Sequence, residues 1–258
     1  IENIAAASFK TISQYNYRQY RYSALFGRVN FEWDGKYFIN LTGRRDGSSR
    51  FGPGKQFANF GAMGLGWVFT QEGFLSGKVP FLSFGKLRSS YGTTGNDQIG
   101  DYEYLDSYAT GGTYQGVTSL GPIRLFNPDF MWEVNRKFEV ALELGFKEDK
   151  LVVNAAYFNN RSSNQLLGYT LPATTGFTSL RSNLPATVQN TGIEIDLSSI
   201  NIKRQHFEWK TSFNMTFPKN KLVEFPDLQS STYRNAFAIG KPLNISKRYN
   251  YTGIYPVT

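Results

Sequence analysis

Residues 25–46, LFGRVNFEWDGKYFINLTGRRD, decide the fold because their side chains alternate between two faces. One face is apolar on both arms and carries Leu25, Gly27, Val29, Phe31 and Trp33, followed by Tyr37, Ile39 and Leu41. The other face carries charged and polar side chains, among them Arg28, Glu32, Lys36 and Arg44. A period of two predicts strands, and Asp34-Gly35 between two such runs predicts a tight hairpin.

The arms of this hairpin are about eleven residues long, roughly twice the length of a usual soluble strand. A strand of that length, tilted by about 45°, spans the hydrocarbon layer of a bilayer. Phe31, Trp33 and Tyr37 cluster beside the turn, as interfacial aromatics do in membrane barrels. An amphipathic hairpin of a soluble sandwich explains these residues equally well, so the hairpin alone leaves both architectures open.

The composition excludes a bundle of transmembrane helices but not a membrane barrel. The chain has 258 residues, 40% of them hydrophobic, with a mean hydropathy of −0.38. No apolar run approaches the length of a spanning helix. In a barrel only alternate residues face lipid, and the aromatic content of 16% with 25 glycines favours such a fold.

Several chemistries are excluded or disfavoured by residue type. The chain contains no cysteine, which excludes disulfides and thiolate metal sites. Its one histidine, His206, lies at a predicted turn with no converging partners, so we expect no catalytic centre, no metal site and no cofactor. The net charge of +8 comes from scattered cations without a nucleic-acid motif, and we expect no nucleic-acid partner.

Alternation predicts eight strands, with a further extended stretch near 244–255 and an unpatterned start at 1–22. The predicted strands are the hairpin arms within 23–46, then 57–70, 84–94, 132–146, 151–160, 188–200 and 207–217. Short or moderate connections at 34–35, 71–83, 147–150 and 201–205 alternate with loops at 47–56, 95–131 and 161–186. Short turns on one side and long loops on the other are typical of bacterial outer-membrane barrels, which now becomes the favoured fold.

Several motifs resemble segments of the SusC/RagA family of TonB-dependent outer-membrane transporters. They are FGRVNF at 26–31, RRDGSSRFG at 44–52, GW at 66–67, LRSSYGTTGN at 87–96, NPDFMWE at 127–133, NTGIE at 190–194, GKP at 240–242 and YTGIY at 251–255. They occur in the family's order over nearly the whole chain, and RRDGSSRFG is the most specific of them.

The resemblance implies an antiparallel transmembrane β-barrel that imports nutrients, such as oligosaccharides or peptides, without altering them. It also implies partners: TonB, acting through a plug domain, a SusD-like lipoprotein lid, and outer-membrane lipid. Members are larger barrels, so we expect 1–258 to be part of a single barrel domain whose plug and remaining strands are absent from this sequence. The alternative is a surface or soluble β-domain that binds carbohydrate without transport.

Three groups of residues are candidates for the functional site. We expect the polar strand residues Glu139, Glu143, Lys210 and Asn214 to line the lumen, and this reading of the two glutamates is preferred to a glycosidase pair. The signature residues Arg44, Asp46, Gly47, Ser48, Arg50 and Phe51 are expected to be structural before they contact substrate. The tyrosines Tyr102, Tyr104, Tyr108 and Tyr114 either contact substrate or lid, or pack their loop, and the sequence leaves this open.

Overall fold

The structure is a computed structural model that describes residues 17–177, 179–251 and 253. Ten strands follow one another along the chain: β1 Tyr22–Trp33, β2 Tyr37–Ser48, β3 Phe57–Trp67, β4 Leu82–Asn96, β5 Ser107–Tyr114, β6 Val117–Arg124, β7 Glu133–Phe146, β8 Leu151–Thr170, β9 Ser179–Arg204 and β10 Phe207–Glu224. Eight of them form one antiparallel sheet in the order β1-β2-β3-β4-β7-β8-β9-β10. This confirms the predicted antiparallel wall and its number of strands.

The first hairpin shows why the strands form where the alternation predicts them. Trp33 is directly opposite Tyr37, with ring centroids 6.0 Å apart, and the pairing continues without a break to Tyr22 opposite Ser48. The loop has three residues, 34–36, and Lys36 N donates to the Trp33 carbonyl at 3.0 Å to close a β-turn whose central residues, Asp34 and Gly35, both have positive φ. The sequence therefore determines both the turn and the register of this hairpin.

The loops and the short turns lie at opposite ends of the sheet. One end, the turn end, carries the connections 34–36, 68–81, 147–150 and 205–206. The other, the loop end, carries the connections 49–56, 97–132 and 171–178 and the segment that follows β10. Antiparallel order requires this alternation of ends. The lengths match the predicted layout at 34–36, 147–150, 205–206 and 97–132, whereas 68–81 at the turn end is longer than 49–56 and 171–178 at the loop end.

The predicted loop at 161–186 is wrong. β8 continues to Thr170 and β9 begins at Ser179, so both strands extend far beyond the other strands of the wall. Where neither face of a strand needs to be apolar, the alternation that identifies a strand in the sequence disappears. Backbone pairing between the two strands continues through this region and leaves little trace in the hydrophobic pattern.

Three further predictions need correction. The loop at 95–131 contains the hairpin β5–β6, which forms its own two-stranded sheet. β3 ends at Trp67 and is followed by a single 3-10 turn, Phe69–Gln71. No strand is present from 244 to 251, and the rest of that predicted stretch, like most of 1–22, lies outside the described residues.

Buried apolar residues gather at the loop end, because a single-layer wall has no interior of its own. The loop-end core contains Phe51, Phe60, Ile99, Phe130 and Trp132. A second cluster, the strap core, joins the outer parts of β9 and β10 to the segment after β10 through Leu184, Ala186, Val188, Leu222, Phe225 and Leu228. The helical turns in the described chain are too short to cross a membrane.

Candidate functional site

The strand register collects the polar side chains of the wall on one face, called here the polar face. Directly paired residues of an antiparallel sheet point to the same side, and the pairings link Arg28 to Thr42, Asn40 to Gly64, Gly64 to Ser90, Ser90 to Glu139, Glu143 to Asn154, and Asp196 to Asn214. The opposite face, the apolar face, carries the rows that contain Val29, Leu41, Met63, Leu87, Leu142, Ile195 and Phe213. The sheet therefore has charged and polar side chains on one face and rows of apolar side chains on the other.

An arginine on β4 holds two of the candidate carboxylates. Arg88 Nη1 lies 2.6 Å from Glu139 Oε1, and Arg88 Nε lies 2.8 Å from Glu143 Oε1. The next polar-face residue of β4, Lys86, is directly opposite Glu143 and lies 5.3 Å from the centre of the Phe38 ring. The glutamates thus share one guanidinium in an ionic cluster, and neither is isolated in an apolar pocket as a general acid would be.

The other two candidates of the polar face lie elsewhere. Lys210 Nζ is 3.2 Å from Glu208 Oε2, close to the β9–β10 turn. Asn214 is directly opposite Asp196 on β9. β8 and β9 separate these residues from Glu139 and Glu143, so the four candidates share a face without forming one site.

Small residues open a groove on the polar face across β2, β3 and β4. Ala62, Gly64 and Gly66 are spaced by two on β3, and neighbouring strands supply Asn40 and Arg88. A Cβ atom at Gly66 would lie 3.4 Å from both the Phe38 and the Lys86 side chains. The floor of the groove is therefore formed by small residues of β3, and longer side chains of the neighbouring strands lie over this floor.

The signature run 44–52 is a structural unit at the loop end, buried at 46–48 and 51–52 and exposed at Arg44 and Arg45. Arg44 Nε donates to both carboxylate oxygens of Asp46, at 2.8 and 3.1 Å, and its Nη2 donates to the Tyr22 hydroxyl at 3.0 Å. Asp46, Ser48 and Phe51 are almost completely buried. Gly47 is opposite Phe57, and a Cβ atom there would lie only 2.5 Å from that ring.

At this end Arg50 connects its own loop to two other segments, residues 97–101 and Tyr20. Its Nε lies 3.0 Å from Asp101 Oδ1, its Nη1 donates to the Asp97 carbonyl at 3.1 Å, and its guanidinium lies 4.2 Å from the centre of the Tyr20 ring. Asp97 in turn accepts hydrogen bonds from Tyr20 at 2.8 Å and Ser48 at 2.7 Å. Burial, followed by the hydrogen bond to Asp97, raises the pKa of the Tyr20 hydroxyl.

The loop-end core lies beneath this network and was not foreseen as a unit. The Phe51 and Trp132 rings are 5.2 Å apart, and Trp132 Nε1 donates to the Gln56 carbonyl at 3.1 Å. Phe130 packs edge-on against Phe51 at 6.3 Å. The signal was present in the apolar residues of NPDFMWE, but nothing in a single sequence pairs that segment with residues 44–52.

The four candidate tyrosines divide into two pairs. The Tyr102 hydroxyl accepts from the Gln19 backbone at 3.0 Å, and Tyr104 packs against the loop-end core. By contrast, Tyr108 and Tyr114 lie on the β5–β6 hairpin with 59% and 75% of their surface exposed. The second pair is therefore the more exposed of the two.

No cluster of three metal-ligating side chains occurs within the described residues. His206 lies in the β9–β10 turn, at the opposite end of the sheet from the loop-end network. The described residues thus form a wall with one polar and one apolar face, and a hydrogen-bonded loop end that carries an exposed hairpin with two tyrosines.

Comparison with known proteins gives consistent matches over this whole arrangement. The family model "TonB dependent receptor-like, beta-barrel" matches residues 3–257. A TonB-dependent receptor of Formosa agariphila is 30% identical over 254 residues, which cover 96% of this chain and 24% of that receptor. The TonB-dependent receptor SusC of Bacteroides thetaiotaomicron is 29% identical over 215 residues, 81% of this chain and 21% of SusC.

Solved structures give the same picture. The RagAB peptide importer in its closed-closed state superposes with a TM-score of 0.79 at 25% identity, covering 86% of this chain and 25% of that one. Its open-open state gives a TM-score of 0.73 and covers 80% of this chain. The chain therefore spans about a quarter of the length of the proteins that it matches.

Proposed function

This chain belongs to the TonB-dependent receptor-like β-barrel family, whose members lie in the outer membrane, and from that premise we propose that it forms part of the wall of a nutrient importer. The single observation that carries the proposal is the pairing of one continuous apolar face with one charged face across eight strands. A bilayer on one side and a water-filled lumen on the other is the environment in which such a sheet is stable.

The apolar face supports this placement by its exposure. Leu25, Val29 and Trp33 have 78%, 63% and 66% of their surface uncovered by protein. Apolar side chains exposed over such an area need a partner, and lipid is the partner that fits the broad apolar face of a barrel wall. On this proposal outer-membrane lipid covers them.

The polar face then faces the lumen. Glu139 and Glu143, held by Arg88, lie on one part of the wall, while Lys210 and Asn214 lie on another. Paired charges and amides spread over a wide surface suit the passage of a hydrated solute better than its tight capture. We therefore propose that these residues guide substrate and do not form a reaction centre.

We propose that the solute is an oligosaccharide or a peptide and that its import is driven by TonB. The support is similarity to SusC and to the RagAB peptide importer. A SusD-like lipoprotein is the proposed partner at the loop end, and Tyr108 and Tyr114 are among the exposed side chains there. TonB would act through a plug in another part of the receptor.

Uptake by the complete receptor tests the function. Deleting its TonB-binding segment is expected to abolish uptake of an oligosaccharide or peptide while binding to the purified receptor is unchanged. The bound ligand should be recovered intact, because the carboxylates closest to a hydrolytic pair share Arg88. Uptake that does not depend on TonB, or cleaved ligand, would exclude the proposal.

A further inference from the structure

The charged residues of the wall are distributed unequally between its two faces. In β1 to β9 every carboxylate of the eight-stranded sheet has a register that places it on the polar face: Glu32, Asp46, Glu133, Glu139, Glu143, Glu194 and Asp196. Toward the loop end the apolar face carries cations instead, at Arg45, Arg136, Arg161, Lys219 and Lys221. On the polar face Arg88 pairs with Glu139 and Glu143, whereas among the described residues no ion pair is formed by Arg136 or Arg161 on the apolar face.

On three strands the cation lies at a similar distance along the strand from an aromatic residue of the turn end. Eight residues separate Tyr37 from Arg45 on β2, and ten separate Phe146 from Arg136 on β7 and Trp209 from Lys219 on β10. At about 3.3 Å per residue and a tilt of about 40°, this spacing corresponds to about 20–25 Å across the membrane. That is the height of the apolar band of an outer-membrane barrel, so the cations mark its outer-leaflet edge.

Two of these cations are directly opposed. Arg136 on β7 is the register partner of Arg161 on β8, and both side chains are exposed. Like charges directly opposite on neighbouring strands destabilise a sheet. Arg161 Nε donates to Gln189 Oε1 at 2.9 Å, but no carboxylate in the described residues forms an ion pair with either guanidinium. An anion bound between the two guanidiniums would be attracted to both and would offset their mutual repulsion.

A concavity on the apolar face holds this pair. Tyr91, Phe138 and Asn159 line it together with Arg136 and Arg161. The Asn159 Oδ1 atom has almost no accessible surface, so the groups that a ligand in this concavity would meet are the two guanidiniums and the two aromatic rings.

We propose that Arg136 and Arg161 bind the phosphorylated headgroup of an outer-leaflet lipid. The headgroup phosphate would accept charge-assisted hydrogen bonds from both guanidiniums. The Tyr91 and Phe138 rings would pack against its apolar part, and the apolar rows toward the turn end would take the acyl chains. Because this face meets the bilayer, the phosphate comes from lipid. The inference rests on the proposed function, which places this face in the membrane.

Lipid binding by the complete receptor, stripped of lipid in detergent, tests the site. Native mass spectrometry would follow the binding of a doubly phosphorylated lipid A and of the same lipid without phosphate. Arg136→Gln with Arg161→Gln is expected to weaken binding of the phosphorylated lipid about tenfold or more, and binding of the dephosphorylated lipid by less than twofold. Lys147→Gln with Lys150→Gln removes the same charge at the turn end and should change neither.

Two outcomes overturn the proposal. One is equal loss of both lipids in the Arg136 and Arg161 variant, which would assign the side chains to general packing. The other is saturation of the site by inorganic phosphate at concentrations that displace the lipid, which would assign it to a free anion. TonB-dependent uptake by the same variant reports separately on the proposed function and is expected to persist.

Discussion

Single side chains in the middle of the wall differ in environment according to their register alone. Leu142 lies on the apolar face opposite Leu87 and Ala155, while its neighbour Glu143 lies on the polar face opposite Lys86 and Asn154. The same assignment puts Val140, Leu144, Phe213 and Met215 toward lipid. A substitution that adds a charge should therefore have very different effects at adjacent positions.

We predict that Leu142→Arg lowers the free energy of unfolding of the complete barrel by about 2–4 kcal/mol, the cost of a guanidinium in lipid near the bilayer midplane. Glu143→Arg should cost far less, since it exchanges one aqueous charge for another, although it removes an ion pair with Arg88. Equilibrium unfolding in lipid vesicles measures both. Equal destabilisation by the two variants would disprove the assignment of the faces.

A carboxylate at the turn end gives a prediction of pH dependence. Glu72 accepts hydrogen bonds from the Tyr37 hydroxyl and, at 3.1 Å, from Trp67 Nε1. The bond from Tyr37, followed by that from Trp67, lowers the pKa of the Glu72 carboxyl from its usual value. Because the pKa is lower in the folded state, the stabilisation is complete above the usual carboxyl pKa and is lost as the pH falls through the lowered one.

Fluorescence of Trp67 should report this loss. In the complete receptor, the acid-induced change expected in the wild type should be absent from Glu72→Gln, whose amide oxygen accepts the same bonds without titrating. Trp33→Phe serves as a control, because it removes another indole of the same girdle while the hydrogen bond between Trp67 and Glu72 is kept. An unchanged acid transition in Glu72→Gln would exclude this carboxyl as its origin.

At the scale of elements, the sequence was informative where lipid imposes a pattern and uninformative elsewhere. Alternation placed β1, β2 and β7 within one to three residues of their ends because every second residue must be apolar there. The outer parts of β8 and β9 and the hairpin β5–β6 lie where both faces of a strand are free of lipid. Their backbone pairing carries no such requirement and was missed.

The residues of the candidate site were likewise predictable from alternation only in part. The residues of the polar face were identified by alternation, but their partners belong to other strands, and Arg88 was not singled out because its two glutamates lie 51 and 55 positions away. The strap core was missed for a similar reason: Leu222 accepts a backbone hydrogen bond from Gly240 at 2.7 Å, beyond the end of any regular pattern. Contacts between distant segments leave no periodic signal in one sequence.

The β5–β6 hairpin is an element with a testable role. Between Ser107 and Arg124 it carries no charged residue, and Tyr108, Tyr114 and Leu120 are largely exposed. We predict that Tyr108→Ala combined with Tyr114→Ala weakens binding of the lipoprotein lid to the complete receptor by about 2 kcal/mol or more, as truncated interface aromatics do. The thermal stability of the barrel should not change, since neither ring packs against the wall.

Tyr17→Ala is the matched control for this measurement. Tyr17 is 68% exposed and lies ahead of β1, outside the hairpin. Titration of the purified lid onto the immobilised receptor measures both variants. If the hairpin variant binds the lid and captures substrate as well as the Tyr17→Ala variant does, the hairpin tyrosines only pack their own loop.

For the whole molecule, the remaining question is which end of the sheet faces the outside of the cell. The loop end holds the two cores, the Arg50 network and the exposed hairpin, whereas the turn end holds short connections and aromatic pairs such as Phe81 with Phe146, 6.3 Å apart. Short turns face the periplasm in outer-membrane barrels because long loops are tolerated on the extracellular side. We therefore assign the loop end to the cell exterior.

Single cysteines provide a direct test of this orientation, since the segment has no cysteine of its own to give background labelling. Tyr108→Cys in the hairpin and Lys150→Cys in the β7–β8 turn both replace exposed side chains, so both sites react freely once the membrane is opened. In intact cells that express the complete receptor, a membrane-impermeant maleimide should label Tyr108→Cys and spare Lys150→Cys. Permeabilisation should then raise labelling of Lys150→Cys to the same level. The reverse pattern in intact cells would invert the barrel and, with it, the leaflet to which Arg136 and Arg161 are assigned.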